Sequence, residues 1–113
     1  MFWSITPVDF GTNRLPACVA SYLDCSRSGQ ANTVLIHSTG FLLRSSSSHR
    51  VVLVDSGFGN LPEVKEAVGE PLERTHDQDP VRALELCGIS PAEVTDVIFT
   101  HLHFDHCGNT ELY

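Results

Sequence analysis

No run of apolar residues in this 113-residue chain approaches the ~18 needed to cross a bilayer, so a membrane-spanning helix is not expected. The first twenty residues also lack a charged segment followed by an apolar one, which argues against a secretory leader. Positive charge is scarce. Seven Lys+Arg stand against fourteen Asp+Glu, a formal charge of -7 at pH 7, and a sequence-independent grip on a phosphate backbone is therefore disfavoured. The imbalance is local: residues 1–54 carry four Arg and two Asp, whereas residues 55–113 carry three basic and twelve acidic residues. Neither internal repeats nor a domain-dividing linker is evident. Cys18, Cys25, Cys87 and Cys107 could form two disulfides, but without a leader they read as reduced thiols in a cytoplasmic protein.

What is present suits one ordinary globular domain, with 42% hydrophobic, 8% aromatic and 19% charged residues. A chain of this length can bury about two thirds of the surface it exposes unfolded, enough for a core with little stability to spare. The first half has strand texture. Phe2–Phe10 mixes aromatic and β-branched residues and is expected to end at Gly11. Val19–Leu23 is a short second candidate, and Ser26–Gln30 is a polar break. Asn32–Ser38 is a third strand, with a turn at Gly40 after which Phe41–Arg44 pairs back. Ser45–His49 reads as a surface loop, and Arg50–Val54 as a strand buried on both faces.

Past Val54 the punctuation becomes helical. Asp55–Asn60 is a glycine-rich loop, Pro62–Val68 a short helix, and Glu70–Asp79 polar and irregular. Pro80–Cys87 carries apolar residues at helical spacing and closes at Gly88. Ser90-Pro91-Ala92-Glu93 has the composition of a capping box for one short turn. Asp96–Thr100 is expected to be another buried strand. Strands first, then helix, strand and loop, favour an α/β layered sandwich over a β-barrel.

Directly after that strand stands His101-Leu102-His103-Phe104-Asp105-His106, three of the six histidines and a carboxylate within six residues. Two histidines spaced by one residue in extended backbone project to the same side, and Asp105 and His106 lie past the bend, facing a second point. Imidazole nitrogen and carboxylate oxygen are ligands for zinc, and the mixed set also admits iron or manganese. Two metal ions are plausible from the residues alone. Histidines that merely hydrogen-bond in a polar loop would explain one such residue, but hardly four ligand types packed at a strand's carboxyl end. His37, His49 and His76 are scattered and receive no role.

The segment Thr100–Asn109 (THLHFDHCGN) resembles the metal-binding signature of the metallo-β-lactamase superfamily, and Val51–Asn60 (VVLVDSGFGN) resembles its upstream strand-Asp-x-Gly element. The resemblance implies an αββα sandwich of two packed sheets with outer helices, built from two similar halves, of which this chain holds the N-terminal one. It also implies that His101 and His103 bind one zinc ion, that Asp105 and His106 bind a second, and that Asp55 orients a ligand histidine. Asp105 is the candidate catalytic residue. Phe104 and the closing His106-x-Gly are more like lactonases that cleave N-acyl homoserine lactones and related small esters. A thioesterase of the hydroxyacylglutathione hydrolase type is the enzymatic alternative. Cys107 reads as a small buried thiol, and Gly57 and Gly59 as residues that let backbone pass close to the site.

A catalytic zinc normally has three protein ligands and a water, and four ligands shared by two ions leave each with two. The expectation is therefore a truncated chain, inactive or weakly metal-binding alone and hydrolytic in its full-length form, with a small-molecule substrate and no nucleic-acid or membrane partner. Self-association through exposed sheet edges would follow from a half-built sandwich.

Overall fold

β1 (Trp3–Pro16) and β2 (Thr33–Ser45) are the two long strands, and they pair antiparallel along almost their whole length. The computed structural model describes residues 1–16, 33–68 and 72–113. The Val19–Leu23 strand, the Ser26–Gln30 break, Cys18 and Cys25 lie outside those residues. β3 (Val51–Val54), β4 (Leu72–Glu73) and β5 (Asp96–Ile98) complete one five-stranded sheet in the order β4-β1-β2-β3-β5. β5 runs parallel to β3, with Val52 opposite Asp96 and Val54 opposite Ile98. The α/β expectation is met by this sheet and its short helices, α1 (Leu61–Val68), α2 (Pro80–Leu86) and α3 (Phe104–Cys107).

Two glycines expected to stop strands lie inside them instead. β1 runs on through Gly11, where the register against β2 shifts between Asp9 and Thr12. Gly11 has φ +126°, and a Cβ there would stand 2.6 Å from both Glu73 O and Phe58 Cζ. It marks a bulge rather than an end. Gly40 makes no turn: β2 passes straight through it, and Phe41–Arg44 pair with β3 and with the start of β1 rather than folding back on Asn32–Ser38. A Cβ on Gly40 would lie 2.6 Å from Asp55 O and 2.8 Å from Val54 O. Both glycines answer close backbone approach, which composition does not distinguish from a turn.

The helical punctuation is observed as expected. Asp79 caps α2, its Oδ1 accepting from the N–H groups of Val81 and Arg82, Pro80 takes the first turn, and Gly88 at φ +79° ends it. Glu93 reaches back to accept from Ser90 N–H at 2.7 Å. Residues 72–79, read as irregular, contain β4 and a single 3-10 turn, His76–Gln78.

Strand alternation and the loops that follow place Val8, Phe10, Leu42 and Leu53 on one sheet face, buried against Ala83, Leu84 and Ile89. The other face is apolar but open. Ile5, Phe41 and Ile98 stand 64%, 44% and 54% exposed there. Burial on both faces holds for the centre of β3, where Val52 and Leu53 are buried, but not for β5. Among the described residues β5 pairs with β3 alone, and Ile98 on the open face is uncovered. Cys87 and Cys107 are free thiols, both half-buried, so Cys107 is less enclosed than its size suggests. Among the described residues no helix is long and apolar enough to cross a membrane.

Candidate metal centre

The carboxyl ends of the parallel strands β3 and β5 lie side by side, and Asp55 N–H extends their ladder by donating to Ile98 O at 2.8 Å. Crevices at such strand ends are where α/β sheets bind ligands, because the chain leaves the ladder there and exposes backbone and side chains. Asp55 ends β3 in a left-handed conformation, φ +61°, the only non-glycine with positive φ among the described residues. A short polar side chain tolerates that region better than a bulky one, and strain of this kind gathers at functional sites.

Asp55 is buried, and three groups donate to its carboxylate. Thr100 N–H reaches Oδ1 at 2.8 Å, Thr100 Oγ1 reaches Oδ2 at 2.7 Å, and His106 Nδ1 lies 2.8 Å from Oδ2. Burial alone would push the carboxyl up. The Thr100 N–H, the His106 ring and the Thr100 hydroxyl outweigh it and hold Asp55 below the usual carboxylate range. As the ionised acceptor, Asp55 fixes the His106 proton on Nδ1 and leaves Nε2 with a free lone pair.

The other expected residues gather in front of that pair. His103 is extended, φ -69° and ψ 150°, at the N-terminus of α3. The His101 ring centroid lies 4.5 Å from that of His103 and 4.0 Å from that of His106. His106 thus stands beside the first two rings, with the Asp105 carboxylate next to it. Asp105 Oδ2 stands 3.5 Å from His106 Nε2. Ser38 Oγ on β2 donates to Asp105 O at 2.6 Å and fixes that residue's backbone. His101 and His103 are solvent-exposed, while Asp105 and His106 are half-buried.

Three imidazoles, one free carboxylate and a carboxylate that sets one imidazole's tautomer form a donor set suited to a borderline divalent cation. Among the described residues no group of three or more His, Cys, Asp or Glu side chains is already arranged to close around a metal ion. The rings lean on one another instead. The residues thus fit a metal in donor type and tautomer control. Thr100, Ser38, Ser56 and Asn109 carry no sequence signal for the bonds they make here. Ser, Thr and Asn are too common for position alone to mark them.

A profile of the metallo-beta-lactamase superfamily matches residues 29–113, and the chain belongs to that superfamily. No curated protein matches it. Solved structures do. One, described as an N-acyl homoserine lactone hydrolase with the product N-hexanoyl-L-homoserine bound at the catalytic metal centre, is 21% identical with a TM-score of 0.75, covering 96% of this chain and 44% of that one. A probable metal-dependent hydrolase from Staphylococcus aureus is 18% identical with a TM-score of 0.69, covering 93% of this chain and 39% of that one. A dizinc quorum-quenching lactonase, in complex with a product, is 16% identical with a TM-score of 0.60, covering 94% and 35%. At these identities the likeness is one of fold. The chain spans less than half the length of each of these neighbours.

Proposed function

We propose that the chain carries the metal-binding motif of a metal-dependent hydrolase acting on a small lactone or ester. His101 and His103 would hold one zinc ion, and Asp105 and His106 a second, with iron or manganese as alternatives for the same donors. The observation that carries this reading is the pairing of Asp55 with His106 Nδ1, which turns the unprotonated Nε2 toward Asp105. When bound, such ions supply Lewis acidity toward a carbonyl oxygen and make water acidic enough to ionise near neutral pH. The protein's part is to hold the His106 imidazole in the coordinating tautomer and to place the Asp105 carboxylate beside it.

The lactone class rests on the fold neighbours described as lactone hydrolases and on Phe104 between the second histidine and the aspartate. Nucleic acid is disfavoured by the acidity of residues 55–113. Two protein ligands per ion fall short of the three usual at catalytic zinc, so the 113-residue chain binds metal loosely and does not turn over substrate by itself. Equilibrium dialysis against zinc at neutral pH is the test, comparing the chain with His103→Ala. Reduced uptake by the variant is expected. Equal uptake by both would sink the metal assignment, and lactone hydrolysis by the chain above the rate of free zinc would overturn its inactivity.

A further inference from the structure

Asn109 is 4% exposed and has no part in the chemistry proposed above. Its side-chain amide donates to two main-chain carbonyls of the loop that follows Asp55, Ser56 O at 2.7 Å and Phe58 O at 2.8 Å. Its main-chain N–H donates to Ser56 Oγ at 3.2 Å. The loop reaches back in turn: Ser56 N–H donates to His106 O at 2.7 Å, and the Ser56 hydroxyl donates to the same carbonyl at 3.2 Å. Gly108 N–H donates to Gly57 O at 2.9 Å, and the two backbones run so close that a Cβ on Gly59 would stand 2.7 Å from Gly108 O. These bonds lie immediately beside the Asp55–His106 contact.

We propose that Asn109 is a positioning residue: it clamps the Asp55 loop onto the segment that follows His106, keeping Asp55 on His106 Nδ1 and Nε2 free for a cation. Two acceptor carbonyls from one loop require two N–H donors from one group, which a primary amide has and a carboxylate or hydroxyl lacks. The consequence for metal rests on the function proposed above. The positioning itself does not, because a hydrogen bond sets the histidine tautomer with or without metal.

Asn109→Asp keeps the side chain's size and replaces its donors with oxygen, so two carbonyls would face lone pairs. Long-range proton–nitrogen NMR on the metal-free chain at pH 8 reads the His106 tautomer, cobalt(II) titration reads affinity, and circular dichroism reads the fold. The wild-type ring should carry its proton on Nδ1. In folded Asn109→Asp the signal should move toward the Nε2–H form, and cobalt affinity should fall by about tenfold. Ser56→Ala removes only the hydroxyl's bonds and should shift the tautomer in the same direction by less, which decides the matter if Asn109→Asp does not fold. An unchanged His106 tautomer in a folded variant overturns the positioning role. If the wild-type chain takes up no cobalt, the metal reading falls while the tautomer measurement still decides the role of Asn109.

Discussion

Two substitutions of Asp55 should separate its contribution to folding from its contribution to the site. Asp55→Ala leaves the Thr100 N–H, the Thr100 hydroxyl and the His106 ring without their acceptor. An orphaned buried donor costs about 1–3 kcal/mol, and because the Thr100 bonds are only part-buried, water relieves part of this. Alanine at φ +61° adds about 1 kcal/mol of strain. A total of about 3–5 kcal/mol is a large share of the 5–15 kcal/mol typical of a domain, and it should lower the melting temperature by more than ~10 °C.

Asp55→Asn is a different perturbation. Asparagine tolerates the left-handed backbone, its Oδ1 can still accept from Thr100 N–H, and its amide can donate to the Thr100 hydroxyl. Only His106 must change, becoming an acceptor at Nδ1 and moving its proton to Nε2. Stability should drop by about 1 kcal/mol, while cobalt affinity falls by about 10–100-fold because the coordinating nitrogen is now protonated. Thermal melts and cobalt titrations of both variants check this. An Asp55→Ala protein that melts with the wild type, or an Asp55→Asn protein that binds cobalt as tightly as the wild type, would refute the reasoning.

Gly57→Ala forces a Cβ to within 2.5 Å of Phe10 Cβ at φ +74°, whereas Gly88→Ala at φ +79° meets nothing closer than Arg44 at 3.8 Å. Urea midpoints should therefore show Gly88→Ala losing about 1 kcal/mol and Gly57→Ala several times more, and the reverse order would be fatal to this account. Burial, reinforced by Asp79, pushes the Tyr113 hydroxyl up to about 12. Because that lies above the ordinary tyrosine value, its stabilisation is complete below about pH 10 and fades as pH rises toward the folded value; ultraviolet titration against a Tyr113→Phe variant should resolve this late ionisation, and a Tyr113 step near pH 10 would contradict it. The open face bearing Ile5, Phe41 and Ile98 should make the chain bind a hydrophobic dye and self-associate, and Phe41→Lys should weaken both as read by fluorescence and sedimentation.

The features legible in the sequence were those written within a few residues of one another. His101, His103, Asp105 and His106 occupy six positions, and the caps of α2 and of the Pro91–Glu93 turn are equally local. Asp55 stands 51 residues from His106, and only the resemblance of its flanking strand to a known element made it visible. Gly11 and Gly40 misled because glycine serves a turn and a close approach equally well, and the neighbour that decides between them comes from another strand. The same distance hid Thr100, Ser56 and Asn109, whose work is done against residues about fifty positions away.

The short helix that carries Asp105 and His106 explains why those distant polar residues matter. α3 spans four residues and buries none of them, and a helix of one turn has too few internal hydrogen bonds to hold itself. Its position comes from outside: Ser38 holds Asp105 O, Ser56 holds His106 O, Asn109 anchors the residues after it, and Arg74 secures the facing loop through Phe10 O, Phe58 O and Gly59 O with its guanidinium over the Phe58 ring at 4.2 Å. Of the core residues Val8, Phe10, Leu42, Leu53 and Leu84, Phe10 alone enters this network, through its main-chain carbonyl. Removing a single tether, as in Ser38→Ala, should therefore disturb the histidine geometry at a cost of only about 1 kcal/mol, whereas truncating a core residue such as Leu53 should cost about 2–5 kcal/mol and unfold core and site together.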